Sequence, residues 1–304
     1  MNHSAFDLSS CAICPRNCLV NRKTKLGYCQ KGEKLEVSWY GAHFGEEPSI
    51  SGVRGSGTIF FIGCNLSCVY CQNWQISQNR IRGKLLDNPK LGEILLKLQS
   101  QGVHNINLVT PTIWTVQLIK VIKWAKKRGL KIPIVWNSNA YEKVETIKQL
   151  EGLVDIYLPD FKYADDDLGV KFSLVKNYST IAKKAIYEMQ RQVGDLKVGK
   201  NGMAIKGLIV RHLILPSHLE NTRKCLTFIR SLSKNIHLSL MSQYSPVFKA
   251  GKFKEINREL TKEEDEMAKK IMEGLNFKYG WIQEFGESVK NLQPDFRKSN
   301  PFEK

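Results

Sequence analysis

Long apolar runs are missing from this chain of 304 residues. No stretch approaches the ~18 consecutive apolar residues that a membrane-spanning helix needs. The first ten residues, Met1 to Ser10, also lack the basic and apolar regions of a secretory signal peptide. Both absences argue against a membrane protein or a secreted protein, and we expect a soluble protein of the cytoplasm.

Acidic residues are also scarce relative to basic ones. The chain has 29 Asp and Glu against 46 Lys and Arg, which gives a net charge of +17. The basic residues are spread along the chain and form only short clusters, such as 22–25 and 123–128. Dispersed charge of this kind is typical of a solvated surface and bears on partners rather than on fold. Nucleic acid and an acidic protein both remain candidate partners.

Internal repeats and low-complexity segments are absent as well, and the length allows one large α/β domain with an appendage, or two domains. From residue 58 onward, apolar runs alternate with helical patterns. The six runs lie at 58–63, 105–109, 132–136, 153–158, 207–214 and 236–241. Six βα repeats imply a parallel sheet with right-handed crossovers, and they are too few for a closed eight-fold barrel. We therefore predict an α/β fold, a partial (β/α)6 TIM-like barrel.

Three parts of the chain differ in composition. We predict a Cys-rich, metal-binding N-terminal segment at 1–57, the partial barrel at 58–245 and a C-terminal extension at 246–304. The extension contains a capping-box pattern that begins at Thr261 and predicts a helix ending near Gly274. A stretch from Asn276 to Phe285 then predicts an additional edge strand.

The cysteines of this chain, in contrast, are arranged in an unusual way. Seven of its eight cysteines fall in two tight groups, which in a reducing compartment indicates metal ligands more than disulfides. Cys64, Cys68 and Cys71 follow the first apolar run at C-x3-C-x2-C spacing. Thiolates bind iron–sulfur clusters, zinc or copper(I), and a 4Fe–4S cluster normally takes four of them. Three ligands would leave one iron open to a small molecule.

A group of three cysteines also has simpler interpretations, namely half of a zinc site or a set of reduced thiols. The position of Cys64, Cys68 and Cys71 at the end of a predicted strand favours the cluster, because strand, loop and motif agree.

The second group lies upstream, with C-x2-C-x3-C-x10-C spacing. Its members are Cys11, Cys14, Cys18 and Cys29. Four thiolates can close a zinc site or hold a complete iron–sulfur cluster, and the sequence does not decide between them. Four free thiols in a flexible arm are the remaining alternative. Cys225 stands alone among apolar residues and is interpreted as a packing residue.

Polar side chains follow the other predicted strands. These are Thr110 to Thr112, Asn137 to Asn139, Asp160 and Lys162, Arg211 and His212, and Ser242 to Tyr244. Each alone is typical of a loop or a helix cap. Because the carboxyl ends of parallel strands lie on one face, we expect these residues to form a polar ligand pocket there.

Several motifs together resemble those of one enzyme family over nearly the whole chain. They are Cys11–Cys18, Gly55–Phe61, Cys64–Asn73, Leu158–Tyr163, Glu188–Gly194 and Arg211–Pro216. The combination resembles the radical S-adenosylmethionine (radical SAM) enzymes, and within them the homologues of the pyruvate formate-lyase activating enzyme. The resemblance implies an oxidoreductase in which Cys64, Cys68 and Cys71 hold a 4Fe–4S cluster and SAM binds the fourth iron. The reduced cluster would cleave SAM to methionine and a 5′-deoxyadenosyl radical that takes a hydrogen atom from a substrate.

The same resemblance assigns cofactor-binding roles. Asp160 and Lys162 match a D-L-K motif of the family, and Arg211 matches an arginine that contacts the cofactor. Tyr70 would pack near the adenine, with ordinary loop packing as the alternative. The predicted cofactor-binding set is Tyr70, Thr110, Thr112, Asn137, Asn139, Asp160, Lys162 and Arg211.

Two motifs depart from the family. Thr110-Pro111-Thr112 stands where the family has Gly-Gly-Glu, and backbone carbonyls or threonine hydroxyls would have to replace the glutamate. Asn137-Ser138-Asn139-Ala140 stands where the family has D-T-N-G, which removes a carboxylate.

Three functions follow as hypotheses. The resemblance implies hydrogen abstraction from a glycine of a partner protein, with flavodoxin or ferredoxin as electron donor to a basic surface. A radical SAM enzyme that modifies RNA is the alternative, supported by the net charge and by a zinc-like N-terminal module. A non-catalytic metal-binding interaction module built on the first 57 residues ranks last, because such a module has no use for a three-ligand site at the mouth of a barrel.

Overall fold

A computed structural model of the chain describes residues 7–78, 81, 83–286 and 293–303. The strands in these ranges are β1 (Leu35–His43), β2 (Ser56–Phe61), β3 (Lys84–Leu86), β4 (Ile106–Val109), β5 (Ile134–Ser138), β6 (Ile156–Pro159), β7 (Lys197–Val198), β8 (Ala204–Leu213), β9 (His237–Met241) and β10 (Tyr279–Ile282). The helices are α1 (Pro48–Ser51), α2 (Trp74–Ser77), α3 (Asn88–Ser100), α4 (Thr115–Lys127), α5 (Val144–Lys148), α6 (Asp166–Ser173), α7 (Tyr178–Val193), α8 (Leu219–Leu232) and α9 (Lys262–Gly274).

The strands form one sheet in the order β10-β9-β8-β6-β5-β4-β2-β1-β3, with β7 paired to β8 beside this path. All neighbours from β2 to β10 along the path are parallel, and β1 and β3 add an antiparallel edge. β10 and β3 are the two edge strands, and within the described residues they do not pair with each other. The sheet is therefore open. The predicted α/β partial barrel is confirmed.

The central strands are buried on both faces. Every residue of β2, β4, β5 and β6 is buried, as expected for parallel strands covered by helices. The helices that cover the sheet turn an apolar stripe toward it: Leu91 and Leu95 of α3 and Leu118 and Ile122 of α4 are fully buried. The sheet therefore holds the carboxyl ends of its strands in one rigid edge.

Two helices differ from the sequence interpretation. The sequence from about Tyr141 to Glu151 predicts one helix, but the structure has only α5 there, because Ala140 takes a positive φ of 60° and Glu142 turns into the interior. α6 was not predicted; its N-cap is Asp165, whose side chain accepts a hydrogen bond from the backbone N–H of Asp167.

The two ends of the chain join the sheet. β1 belongs to the Cys-rich segment and pairs with β2. The predicted capping box is present at the start of α9, and β10 lies within the predicted edge-strand stretch, parallel to β9. The division of the chain at residues 57 and 245 stays a prediction. No helix among the described residues is long and apolar enough to cross a bilayer.

A close helix contact provides a test of the packing. A methyl group added to Gly92 of α3 would overlap the indole ring of Trp124 of α4. We expect Gly92→Ala to lower the free energy of unfolding by about 1–3 kcal/mol, which outweighs the roughly 0.5–1 kcal/mol gained in helix propensity. Chemical denaturation under anaerobic conditions measures the change.

Gly274→Ala is the matched control, since no atom lies within 4 Å of the position that its new methyl group would take at the end of α9. We expect this variant to be at least as stable as the wild type. Equal unfolding free energies for the two variants would contradict the packing described.

Candidate active site

The Cys64 loop, residues 63–71, lies at the carboxyl end of β2 and is fixed by backbone hydrogen bonds to a distant segment. The N–H of Val69 donates to the Phe172 carbonyl at 2.8 Å, and the N–H of Ser67 donates to the Ser173 carbonyl at 3.2 Å. The Asn65 amide donates to the Tyr141 carbonyl at 2.6 Å. The end of α6 and the turn after β5 therefore position the three cysteines.

The three thiols line one cleft of about 670 Å³. Each sulfur has a hydrogen-bonding partner from another part of the chain: the Asn139 amide lies 3.3 Å from Cys64 Sγ, Ser173 Oγ 2.9 Å from Cys68 Sγ and Ser77 Oγ 3.2 Å from Cys71 Sγ. All eight cysteines are free, so none of these sulfurs is used in a disulfide. These amide and hydroxyl groups are able to donate to thiolate ligands, and outer partners of this kind tune a bound metal group.

The chemistry of the three thiols fits an iron–sulfur cluster. Thiolates are the usual protein ligands of such clusters, and a 4Fe–4S cluster takes four of them. Three thiols on one cleft would therefore hold three irons and leave the fourth without a ligand from this motif.

Seven of the eight predicted cofactor-binding residues line the same cleft as the thiols. They are Tyr70, Thr110, Asn137, Asn139, Asp160, Lys162 and Arg211. Thr112 does not line it: its buried hydroxyl donates to Glu142 Oε1 at 2.9 Å. The sheet therefore brings most of the polar strand ends together, whereas Thr112, His212 and Ser242 do not line the cleft.

Asp160 is the centre of the charged part of the cleft. Its carboxylate accepts hydrogen bonds from Lys162 Nζ at 2.8 Å and from Arg211 Nε at 2.6 Å. Burial alone would raise the pKa of Asp160, but the charges of Arg211 and Lys162 outweigh it and hold the pKa below its ordinary value. Asp160 is therefore ionised at neutral pH.

Glu46 is a cleft residue that the sequence interpretation missed. It lies between β1 and α1, where its carboxylate accepts hydrogen bonds from the Asn107 amide at 2.8 Å and from Arg211 Nη1 at 3.1 Å. Burial raises the pKa of Glu46 despite the nearby Arg211. Two motifs of this chain lack a carboxylate that the matching family motifs contain. Glu46 supplies a carboxylate to the cleft from another part of the chain. No sequence signal marks it, because it follows an antiparallel strand outside the βα repeats.

Tyr70 belongs to a chain of hydroxyl groups that ends at a cysteine. Its hydroxyl lies 2.6 Å from that of Tyr163, which lies 2.8 Å from Ser173 Oγ, the partner of Cys68. Ser173 and Tyr163 were not predicted as site residues. The polar tip of Tyr70 is thus fixed within the protein, and its ring lines the cleft.

Thr110 adopts a backbone conformation that is unusual for a β-branched residue. Its φ is 59°, and its N–H donates to the Asn137 carbonyl at 2.9 Å. Strained backbone of this kind is concentrated at functional sites. The turn directs the chain after β4 around the edge of the cleft.

Cys11, Cys14, Cys18 and Cys29 lie outside this cleft. All four line a separate, smaller cavity in the N-terminal segment. His212, by contrast, is fully buried and bonded to the Phe161 carbonyl and the Thr222 hydroxyl, away from the cleft.

Glu142 lies beneath the cleft and provides a pH test. It accepts hydrogen bonds from Thr112, Trp136 and Ser138, yet burial raises its pKa above the ordinary value. The folded protein therefore retains this proton to higher pH than the unfolded chain, so the associated stability is present at acidic pH and lost as the pH rises. We expect Glu142→Gln to remove that loss, so that unfolding free energies from about pH 5 to 8 fall less than in the wild type.

Glu273→Gln on the exposed surface of α9 is the control and should keep the wild-type pH dependence. If Glu142→Gln also keeps it, the buried carboxyl does not behave as described.

Comparisons with known proteins place the chain in a family. The model of the Radical SAM superfamily matches residues 58–208. The uncharacterized protein MJ0674 of Methanocaldococcus jannaschii is 36% identical over 280 residues, which cover 88% of this chain and 75% of that protein. The pyruvate formate-lyase-activating enzyme of Clostridium pasteurianum is 28% identical over 182 residues, 57% of this chain and 69% of the enzyme.

A solved structure supports the same fold. Streptococcus suis SuiB bound to precursor peptide SuiA matches with a TM-score of 0.51 and 15% identity over 73% of this chain. The match spans less than half of the SuiB chain, 47% of its length. From its sequence, its partial barrel and these matches, the chain belongs to the radical SAM superfamily.

Proposed function

We propose that this enzyme abstracts a hydrogen atom from a glycine of a partner protein, in a reducing cytoplasm that keeps its thiols free. Membership of the superfamily implies a 4Fe–4S cluster, SAM and a reductant. One observation supports the site assignment above all: Cys64, Cys68 and Cys71 share a single cleft with Asp160 and Arg211. When bound, the cluster supplies one electron that cleaves SAM to methionine and a 5′-deoxyadenosyl radical.

The residues of the cleft match the functional groups of SAM. Lys162 and Arg211 offer cations for its carboxylate, and Asp160 and Glu46 offer acceptors for its amino group and ribose hydroxyls. Asn137, Asn139 and Thr110 add neutral hydrogen-bonding groups at the same edge. Glu46 takes the part of the glutamate that the Thr110-Pro111-Thr112 turn lacks.

The C-terminal segment covers one side of the cleft. Gln293, Pro294 and Phe302 belong to its lining. The Phe302 ring packs 4.2 Å from the His43 ring and 5.2 Å from the Trp39 ring, measured between centroids. An apolar wall at this position excludes water, which protects a reactive radical from side reactions.

The substrate proposal rests on similarity and charge. The 28% identity to the pyruvate formate-lyase-activating enzyme of Clostridium pasteurianum covers 57% of this chain. A net charge of +17 suits docking to an acidic protein substrate or to an acidic flavodoxin or ferredoxin.

The test is SAM cleavage by the full chain after anaerobic reconstitution with iron and sulfide. With dithionite and SAM we expect 5′-deoxyadenosine, and Cys68→Ala should abolish it because the cluster loses a ligand. Cys225→Ala, a change at a buried thiol of α8 outside both cysteine groups, should retain the product. The product is quantified by liquid chromatography.

The glycine assignment is tested with synthetic peptides that carry deuterium at the glycine α-carbon. We expect deuterium in the 5′-deoxyadenosine that forms. Stimulation of SAM cleavage by total transfer RNA, with no deuterium uptake from the peptides, would instead support RNA modification.

Ser173 provides a test that does not depend on turnover. An iron-bound thiolate has no proton, so the Ser173 hydroxyl, 2.9 Å away, must donate to Cys68 Sγ. Such a bond stabilises the reduced, more negative cluster. We expect Ser173→Ala to lower its midpoint potential by about 40 mV, the equivalent of roughly 1 kcal/mol.

Redox titration followed by electron paramagnetic resonance (EPR) measures the potential. Ser231→Ala in α8, which removes a hydroxyl that donates to the Phe228 carbonyl far along the chain from the Cys64 loop, is the matched control and should show no shift. A shift of the same size in both variants would count against this role of Ser173.

A further inference from the structure

We propose that Cys11, Cys14, Cys18 and Cys29 hold a second iron–sulfur cluster, closed by four thiolates, that passes an electron to the cluster of the Cys64 loop. The metal assignment stands by itself, whereas the electron transfer rests on the proposed function. Four observations support it.

The first observation is a shared cavity. All four thiols line one cavity of about 20 Å³, and Ile13, Val20 and Ile113 form part of its wall. The thiols are free of disulfides. Apolar residues around thiolate ligands limit the access of water, which tunes the redox potential of a bound metal group.

The second observation is a hydrogen bond to one of the sulfurs. The backbone N–H of Tyr28 donates to Cys18 Sγ at 3.2 Å. Hydrogen bonds to the sulfurs are among the features that set the reduction potential of an iron–sulfur cluster.

The third observation is buried positive charge beside the thiols. Arg22 is only 3% exposed, and its guanidinium donates to the carbonyls of Gly32 and Ile113. Arg16 also lines the cavity, and its Nη2 is buried without a hydrogen-bonding partner. A cluster with four thiolate ligands carries a net negative charge. These two guanidinium groups would balance it, since buried charges need a partner.

The fourth observation is that the four-cysteine cavity lies next to the Cys64 loop. Asn65, the residue after Cys64, lines the four-cysteine cavity, and its carbonyl accepts a hydrogen bond from Arg16 Nε at 2.8 Å. Cys29 and Cys64 also line a common third cavity of about 740 Å³. The two cysteine groups are therefore neighbours, with Asn65 between them.

The electron path follows from this placement. A low-potential iron–sulfur or flavin protein would give one electron to the second cluster and become oxidised by one. The same electron would then move to the cluster of the Cys64 loop, with no bond made or broken. The second cluster has no open iron, so transfer is its only redox role.

Metal analysis tests the assignment on the full chain, purified anaerobically. The triple variant Cys64→Ala/Cys68→Ala/Cys71→Ala should keep about two to four irons per chain with matching sulfide, and no zinc. Cys225→Ala is the control and should keep the wild-type iron content. About one zinc per chain in the triple variant, or no metal at all, would overturn the proposal.

EPR of the reduced protein tests the electron path. We expect the wild-type signal to be split or broadened by two neighbouring spins, and each single-cluster variant, the triple variant or Cys11→Ala/Cys14→Ala, to give one simple signal. A wild-type spectrum that equals the sum of two simple signals would overturn the path. If the second variant does not fold, the wild type and the triple variant still decide.

Addition of SAM separates this proposal from the proposed function. SAM should change the signal of Cys11→Ala/Cys14→Ala and leave that of the triple variant unchanged. Failure to change either signal would contradict SAM binding at the Cys64 loop, while iron in the triple variant would still establish the second cluster.

Discussion

The guanidinium of Arg211 connects groups that are far apart in the chain. It donates to Asp160 after β6 at 2.6 Å, to Asn137 of β5 at 2.6 Å and to Glu46 before α1 at 3.1 Å. Its side chain is only 15% exposed, and a buried charge is tolerated only when it is paired and hydrogen-bonded. The polar floor of the cleft thus depends on one cation that holds two strand ends and the N-terminal loop together.

Such a network is a weak source of stability, because desolvation of the charges offsets most of their attraction. Its arrangement is better explained by ligand binding. Under the proposed function, the carboxylate and the ammonium group of SAM would exchange charge partners with Arg211, Lys162, Asp160 and Glu46, so that no buried charge is left alone. In the absence of SAM, the charged side chains of the cleft pair with one another.

The Cys64 loop lies beside this network and is held by other elements of the fold. α6 fixes the Cys64 loop through its last residues, and Ser173 contacts Cys68 directly. On the other side, Asn65 of this loop lines the cavity of the four N-terminal thiols. The N-terminal segment therefore does more than cover an edge of the sheet: it supplies Glu46 to the cleft and, under our proposal, an electron to the Cys64 loop.

The sequence was sufficient for features that repeat within one βα unit. Apolar runs predicted six of the seven parallel strands in the part of the chain that the structure describes. Their carboxyl ends predicted that Asn137, Asp160 and Arg211 would meet, because parallel strands present those ends on one edge. The same reasoning located the cysteines of residues 64–71 at the end of β2. It was wrong in detail where a local turn intervened, as at Ala140, whose positive φ shortens the helix that follows.

Only the tertiary structure identified the partners that come from elsewhere in the chain. Glu46 reaches Arg211 across 165 residues, and Ser173 reaches Cys68 across 105. Neither has a periodicity or a motif, because each is placed by the packing of a neighbouring loop or helix rather than by its own strand. Thr112 shows the converse: it follows β4 as predicted, but the buried carboxyl of Glu142 draws its hydroxyl away from the cleft. The chain's local pattern therefore determined the sheet and its reactive edge, whereas long-range packing decided which side chains complete the site.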